Sequence, residues 1–301
     1  MYLKETIHIS VASNNNYVAL TAALIKSIIC NHLSNELLIF YVINDKISKR
    51  NKDKITTLSS GDVQIKWIDP DKILPEKIDY PLDNSSYPST AFLRLLAPYI
   101  MAQDVEKLIY LDVDMIVLGD VSELWHLDLK GYPIAAVIDL VKIVSCPWGG
   151  ITNYKQLGIP AEARYFNSGL MVIDVQQWRE NQTPKKVFKV MEDNLKFVNY
   201  ADQYGLNVIF AQNWLEIDPL WNWYAHNYHP NPKIIHFLDI KPIFKSYRYE
   251  KEFQKEFFKY LNMTPWIHAP LKSDFVRIFY KAYIKIKKRL MKVVLSKKSL
   301  I

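Results

Sequence analysis

Residues 107–117 read KLIYLDVDMIV, and this stretch decides the fold and locates a candidate site. The apolar run Lys107–Leu111 predicts a short buried β-strand, and Asp112 and Asp114 follow where that strand meets solvent. Two carboxylates two positions apart can converge on one divalent cation through hard oxygen ligands. Because D-x-D triplets are common, the triplet alone leaves metal binding and an ordinary polar turn both open.

Upstream of this stretch, strands and helices are predicted to alternate. The expected order is strand Thr6–Ala12, helix Val18–Cys30, strand Leu37–Val42, helix Ser48–Ser59 and strand Val63–Ile68. This spacing predicts parallel βα units and a three-layer α/β architecture. Ligands collect at the carboxyl ends of such strands, which makes residues 12–17 a candidate nucleotide site.

Downstream, a loop rich in Pro, Asp and Ser is predicted for residues 69–89. Further elements are expected at helix Thr90–Ala102, strand Ile134–Ile138, a strand after Phe166–Gly169, helix Val187–Phe197 and a helix opened by Ala201–Gln203. We expect one domain over residues 1–271 and a separate tail over residues 272–301.

The net charge of +7 is concentrated in that tail. Residues 272–301 contain ten Lys or Arg and one acid, whereas the rest contains 28 basic and 30 acidic residues. A body this close to neutral argues against a nucleic-acid-binding protein, which needs a basic surface on its folded domain. Only two cysteines, Cys30 and Cys146, occur, which argues against a disulfide framework or zinc cluster and favours a reducing compartment.

No signal-peptide core and no run of about 18 apolar residues is present in the sequence. We therefore expect a cytoplasmic protein, or one held on the inner face of the membrane. The tail predicts an amphipathic cationic helix, typical of an interfacial anchor for anionic lipid. Its apolar stripe is Phe275, Phe279, Ala282, Ile286, Leu290 and Val293, and its basic stripe is Arg277, Lys281, Lys285, Lys288 and Lys292. A helix docked on the body with a solvated charged face is the alternative.

Two further residues are candidates for the site. His236 is the polar residue of the strand-like run Ile234–Phe237, so it is either a third metal ligand or a hydrogen-bonded core histidine. Lys241 lies five residues later, next to Pro242, and could meet a diphosphate oxygen as a point charge or remain an ordinary surface lysine.

The ordered set of motifs resembles glycosyltransferase family 8. The set comprises NNNY at 14–17, LRL at 93–95, YLDVDMIV at 110–117, ID at 138–139, FNSG at 166–169, ADQ at 201–203 and HFLDIKP at 236–242. The resemblance implies a GT-A fold and retaining transfer of galactose or glucose from a UDP-sugar, with Mn²⁺ or alternatively Mg²⁺. It further implies a saccharide or glycolipid acceptor, as in lipopolysaccharide synthesis.

The resemblance also implies roles for individual residues. The metal ligands would be Asp112, Asp114 and His236. Residues that bind the UDP-sugar would be Ala12, Asn14, Asn16, Tyr17, Val113, Asn167, Ser168 and Lys241, with Lys241 at the diphosphate and Asn167 beside the hexose. Residues around the donor hexose and the acceptor would be Arg94, Asp139, Asp202 and Gln203, with Asp139 on the acceptor side.

The chain departs from the family pattern at two places. Asn14 stands where the family usually has an acidic residue, so the family's contacts to uracil do not carry over directly to this chain. The run HFLDIKPI is one residue shorter than the family's H-x-x-G-x-x-K-P-W, with Asp239 near the glycine position and Ile243 in place of tryptophan. The shape of the acceptor pocket therefore does not follow from the family.

Two other functions compete with a transferase. A D-x-D after a buried strand also resembles haloacid-dehalogenase-like phosphatases, in which Asp112 would be the nucleophile, although that motif normally lies close to the chain start. A non-catalytic nucleotide-sugar-binding protein of the same fold is the second alternative. For the transferase, we expect attack on the same face of the sugar, because no obvious pair of carboxylates serves a double displacement.

Overall fold

A computed structural model describes residues 4–70, 81 and 87–298 of the chain. Most of the loop predicted for residues 69–89 lies outside the described residues. Strands β1–β10 are Thr6–Asn14, Leu37–Asp45, Val63–Ile68, Lys107–Leu111, Met115–Val117, Ile134–Ile143, Arg164–Asp174, Leu215–Glu216, Trp223–Tyr224 and Ile234–His236.

Seven of the described strands form a central sheet in the order β3-β2-β1-β4-β7-β6-β8. Strand β7 runs antiparallel to both β4 and β6, and the other neighbouring pairs are parallel. The carboxyl ends of β1 and β4 therefore meet at one edge, beside the first half of β7. The prediction of an α/β fold with a parallel-rich sheet is confirmed.

Helices cover both faces of the sheet. The α-helices α1–α8 are Val18–Asn31, Lys49–Thr56, Ser122–Trp125, Val175–Glu180, Thr183–Asp193, Asp202–Ile209, Lys251–Leu261 and Asp274–Lys298, and 3₁₀ helices span Ser89–Ile100 and Pro219–Asn222. Alternate residues of β4 point to opposite faces: Ile109 packs with α1, and Leu108 packs with the first 3₁₀ helix and α6. The three-layer architecture follows from this two-sided burial.

Three elements differ in detail from their predictions. The helix predicted over residues 187–197 spans Thr183–Asp193, because Pro184 suits the first turn of a helix and marks an earlier start. The predicted helix after residue 89 has 3₁₀ geometry and contains Pro98, which has no backbone N–H to donate. Residues 166–169 lie inside β7 and do not precede it.

A three-stranded sheet in the order β5-β10-β9 brings His236 to the D-x-D triplet. Strand β10 pairs antiparallel with β5, and His236 lies opposite Met115. The backbone N–H of Phe237 donates to the carbonyl oxygen of Asp114 over 2.9 Å. Residues separated by more than a hundred positions along the chain are thus held side by side by backbone pairing.

Helix α6 is fixed to β7 by the buried side chain of Asn207. Its Oδ1 accepts from the N–H of Phe166 over 2.8 Å, and its Nδ2 donates to the carbonyl oxygen of the same residue over 2.9 Å. These two bonds orient the first turn of α6, which contains Asp202 and Gln203, toward the edge where β4 ends.

The C-terminal helix expected from the tail is present as α8. Ile284 packs on the body with only 7% of its surface exposed, whereas Phe275 and Phe279 are each 70% exposed and stack on one another. Lys281 of the expected basic stripe lies 3.9 Å from Asp239 of the body, so that stripe does not face solvent throughout. The side chains of Lys292 and Val293 lie outside the described residues.

Candidate functional site

The candidate site begins with a buried arginine between two carboxylates. The Nη1 atom of Arg94 lies 3.2 Å from Asp112 Oδ1, and its Nε lies 2.9 Å from Asp202 Oδ2. Tyr110 donates its hydroxyl hydrogen to the same Asp112 oxygen over 2.9 Å, and the guanidinium lies over the Tyr110 ring. Arg94 therefore joins the end of β4 to the start of α6.

The second carboxylate of the triplet faces other partners. The ammonium group of Lys241 contacts Asp114 Oδ2, and His236 Nε2 lies 3.4 Å from Asp114 Oδ1. Ligand atoms of Asp112, Asp114 and His236 all lie within 4.8 Å of one another. Two carboxylates and one imidazole so close together could hold a divalent cation.

The two aspartates differ in their preference for the ionised form. Burial raises the pKa of Asp112, the charge of Asp114 adds to that rise, and Arg94 opposes it. Burial also tends to raise the pKa of Asp114, but Lys241 and His236 outweigh this effect and hold that pKa well below its usual range. Asp114 is therefore the carboxylate that is ionised most readily.

A relay of amides fixes the orientation of His236. Asn167 donates from Nδ2 to Asp139 Oδ2 over 2.8 Å, and Asn222 donates from Nδ2 to Asn167 Oδ1 over 3.0 Å. The Asn222 oxygen then lies 2.8 Å from His236 Nδ1 and accepts its hydrogen. The carboxylate at the start of the relay can only accept, so each amide is turned one way.

This relay prepares His236 for a cation. Because Asn222 fixes a hydrogen on Nδ1, Nε2 is the ring nitrogen that can give up its proton and turn a lone pair toward a cation beside Asp114 Oδ1. A metal ion between His236 Nε2 and Asp114 Oδ1 would accept an electron pair from each. The observed donor set and its orientation therefore fit the cation that the sequence motif implies.

Space around the triplet is so limited that residue 169 must be glycine. A Cβ atom at Gly169 would lie 2.8 Å from His236 Cε1, 2.9 Å from Asn167 Oδ1 and 3.0 Å from Asp112 Oδ2. The carbonyl oxygen of Gly169 also accepts from the backbone N–H of Asp112 over 2.7 Å. Strand β7 thus packs directly against the candidate metal ligands.

Helix α6 completes the inner wall of the site. Gln203 Oε1 accepts from the backbone N–H of Ser168 over 3.0 Å and lies 3.2 Å from its hydroxyl, and Gln203 Nε2 lies 3.4 Å from Asp139 Oδ2. Arg94 Nη1 donates to the carbonyl oxygen of Ser168 over 2.7 Å. The structure thus joins the residues predicted around the donor hexose and the acceptor into one hydrogen-bonded group.

The residues expected to bind the nucleotide occupy the end of β1 and the turn after it. Asn14 is buried; its Oδ1 accepts from the N–H of Asn16 over 3.0 Å, and its Nδ2 donates to Thr90 over 3.3 Å. Tyr17 occupies the N-cap position of α1. Burial raises the pKa of its hydroxyl, and the charges of Lys241 and Asp114 also act on that pKa. The turn therefore adjoins the triplet.

Two further residues of this group have apolar surroundings. Ala12 is buried beneath the turn, and Val113 is partly buried between the two aspartates, against the core on the α1 side of the sheet. Each could contribute backbone groups or an apolar contact to a nucleotide.

Comparison with known proteins identifies the family. The sequence profile described as glycosyl transferase family 8 matches residues 8–262. The chain belongs to this family. Among curated relatives, General stress protein A of Bacillus subtilis is 28% identical over 287 residues, 87% of this chain and 95% of that protein. Lipopolysaccharide 1,2-glucosyltransferase of Escherichia coli is 26% identical over 294 residues, 90% and 82% of the two chains.

Solved glycosyltransferase structures share the fold. The galactosyltransferase LgtC, in complex with donor and acceptor sugar analogs, is 23% identical with a TM-score of 0.71, covering 86% of this chain and 96% of that one. The bifunctional glycosyltransferase WbbM is 22% identical with a TM-score of 0.72, covering 89% of this chain and 51% of that one. At this identity the likeness shows the fold alone. The alternative of a dehalogenase-like phosphatase finds no support in these relatives.

Sequence reasoning missed Asn222 and Asn207, both of which are nearly inaccessible to solvent. Asn222 lies between Trp221 and Trp223 in the run LWNWY, and a polar residue inside an aromatic run was the available signal. Asn207 occupies the buried face of α6 and had no comparable signal. A buried amide has to be hydrogen-bonded, and both residues meet that need within the site or directly behind it.

Replacement of Asn222 tests the relay. In Asn222→Ala the ring of His236 loses the acceptor that orients it, so we expect Mn²⁺ affinity to fall about 10–100-fold, as is usual for residues behind a metal ligand. Isothermal calorimetry measures this affinity, and Asn227→Ala, at an exposed position nearby, is the control. Equal Mn²⁺ affinity in the two variants would contradict the orienting role of Asn222.

Proposed function

We propose that the protein transfers galactose or glucose from a UDP-sugar to a saccharide acceptor with retention of configuration. The observation that carries the proposal is the convergence of Asp112, Asp114 and the oriented Nε2 of His236 at the carboxyl end of β4. A nucleotide diphosphate leaves most readily when a cation neutralises its developing charge. The named glucosyltransferase among the relatives supports a hexose of lipopolysaccharide or another surface glycan as the product.

Asp112, Asp114 and His236 would hold Mn²⁺, or Mg²⁺ in its absence, and the ion would act as a Lewis acid for the leaving diphosphate. Lys241 contacts the carboxylate of Asp114, so a diphosphate bound to a cation held by that carboxylate would come within reach of its ammonium group. We assign Lys241 to charge neutralisation on the leaving group. Tyr17 offers its ring as a stacking face for uracil, and residues 12–16 offer backbone and amide groups.

For the donor hexose we assign Arg94, Asp202, Asn167 and Ser168, which form one network at the start of α6. Asp139 lies behind Asn167 and beside Gln203, and we assign it to the acceptor side. Sugar hydroxyls that bind here would exchange hydrogen bonds with groups that are already oriented, which lowers the cost of reorganisation during reaction.

Loss of one metal-ligand charge tests the proposal. In Asp112→Asn we expect UDP release from UDP-galactose or UDP-glucose to fall at least about a thousandfold, which corresponds to roughly 4 kcal/mol of barrier. The assay is metal-dependent UDP release with Mn²⁺ and a saccharide acceptor. Asp128 lies near Lys107, at the other end of β4 from the triplet. Asp128→Asn is therefore the matched control, and we expect its rate to be near that of the unaltered chain. Turnover by Asp112→Asn at the control rate would remove Asp112 from the site.

The hydrogen bonds of the nearby acids support a same-face reaction. The carboxylate of Asp202 is 2% exposed and paired with Arg94, and that of Asp139 accepts from Asn167 and from the backbone N–H of Val141. Both carboxylates already have partners, which disfavours either of them as a nucleophile toward the sugar. We propose that the acceptor attacks through an oxocarbenium-like state and that the departing diphosphate takes the acceptor proton.

Mass spectrometry tests this mechanism. When the protein is quenched during turnover, we expect no glycosyl ester on any carboxylate, and we expect the product to keep the donor's anomeric configuration by NMR. The unaltered chain, which keeps Asp202, should not accumulate a trapped glycosyl ester with an activated sugar fluoride. A sugar covalently attached to Asp202 or Asp139 would overturn the same-face reaction.

We further propose that α8 holds the catalytic body, residues 1–271, on an anionic membrane surface at the cytoplasmic face. Tyr283, Ile286 and Leu290 continue the exposed apolar stripe that Phe275 and Phe279 begin, and Lys285 and Lys287 are exposed beside it. An apolar stripe flanked by lysines favours the interface of an anionic bilayer. In the part of the chain that the structure describes, no helix has the length and apolar character needed to cross a membrane.

Vesicle binding tests the anchor. In Phe275→Ser/Phe279→Ser we expect affinity for vesicles with phosphatidylserine to fall at least about tenfold, because two apolar side chains no longer enter the interface. Leu33→Ser/Tyr228→Ser removes two exposed apolar side chains elsewhere and should bind as the unaltered protein does. Equal sedimentation of both double variants with anionic vesicles would contradict the anchor.

A further inference from the structure

We propose that Lys272 is a positioning residue for the turn that receives the donor nucleotide, residues 14–17. The proposal rests on the proposed function, since it gives that turn the task of holding UDP. Lys272 donates from Nζ to the carbonyl oxygen of Asn16 over 2.7 Å. It lies at the junction between the body and α8, far from the turn in sequence.

The backbone of Lys272 is fixed from both sides. Its N–H donates to the carbonyl oxygen of Ile243 over 2.7 Å, and its own carbonyl oxygen accepts from the N–H of Lys245 over 3.0 Å. Residues 243–245 directly follow Lys241 and Pro242, so this pairing ties Lys272 to the segment that carries the candidate diphosphate lysine. From this fixed backbone, the Lys272 side chain reaches the carbonyl oxygen of Asn16.

Several other bonds hold the turn: Asn14 donates to Thr90 over 3.3 Å, and Asn15 Oδ1 accepts from the backbone N–H of Ser48 over 3.1 Å. Two more bonds lie within the turn. The N–H of Tyr17 donates to the carbonyl oxygen of Asn14 over 3.1 Å, and the Asn14 side chain accepts from the N–H of Asn16. Neither of these two bonds reaches the carbonyl oxygen of Asn16. Among the described contacts, the bond from Lys272 does, so it helps to set where the peptide of residues 16–17 lies.

The local charges also favour a structural use of this ammonium group. Lys272 is partly buried, and burial lowers its pKa. Among the ion pairs of the described residues, none involves Lys272, so the carbonyl oxygen of Asn16 is the partner that the structure gives to its charge. A charge-assisted bond to a carbonyl is stronger than a neutral one and holds the peptide firmly.

The start of α8 adds a second connection to the same turn. Asp274 accepts from the hydroxyl of Ser246 and pairs with Arg277 over 3.4 Å. Arg277 is close enough to Tyr17 for its charge to act on the tyrosine hydroxyl. The first turn of α8 therefore lies near the donor turn, and the bond between Ser246 and Asp274 crosses the boundary expected at residue 272.

The test compares Lys272→Met with Lys245→Met. Lys245 is exposed and pairs with Lys272 through its backbone, so its substitution leaves the contact to Asn16 intact. We expect Lys272→Met to weaken the binding of UDP with Mn²⁺ about tenfold by calorimetry, because a hydrogen bond from a charged group is lost. The donor KM should rise by a similar factor while kcat changes little, since the turn would hold the nucleotide before and during reaction alike.

Two further variants separate positioning from folding. Lys272→Arg keeps a cationic donor and should restore most of the UDP affinity. Lys272→Gln keeps a donor without the charge; it serves if Lys272→Met does not fold, and it should bind UDP more weakly than Lys245→Met. A loss of thermal stability in Lys272→Met with UDP affinity equal to that of Lys245→Met would overturn the positioning role.

The unaltered chain distinguishes the two proposals. If it binds no UDP with Mn²⁺, the proposed function fails, and the role of Lys272 fails with it. If the unaltered chain, Lys245→Met and Lys272→Met all bind UDP with the same affinity, only the role of Lys272 is overturned.

Discussion

The concentration of negative charge where β4 ends is the constraint on which the rest of the site depends. Asp112 and Asp114 are held two residues apart in a largely desolvated place, where like charges repel strongly. Arg94 approaches one carboxylate from the first 3₁₀ helix, and Lys241 approaches the other from the segment after β10. Each cation comes from a different layer of the fold, so the charge balance also holds the layers together.

The topology explains how these layers meet at one point. Because β7 runs antiparallel to β4, its first half lies beside the carboxyl end of β4, and Asn167 and Gly169 come next to the triplet. The small sheet then returns His236 to the same place by pairing β10 with β5. Strand direction, more than any one side chain, brings the residues together.

Much of this could be predicted from the sequence, since the strands and the triplet have strong local signals. The apolar run Lys107–Leu111 and the alternation before it predicted the sheet, and the ordered motifs predicted which residues cluster. Local signals did not give the 3₁₀ geometry of the first helix after residue 89, the antiparallel direction of β7 or the partner of His236. Such features depend on contacts between elements. One example is the hydrogen bond between Asn222 and His236, which lie fourteen positions apart in two elements.

The contact between Lys272 and Asn16 spans 256 positions of the chain. During synthesis on a ribosome, a residue so far downstream emerges long after the first βα unit has been able to fold. The turn at the end of β1 therefore lacks its bond from Lys272 while the rest of the sheet forms. A nascent chain released before residue 272 would have the strands of the site without the bond from Lys272 to the turn at residues 14–17.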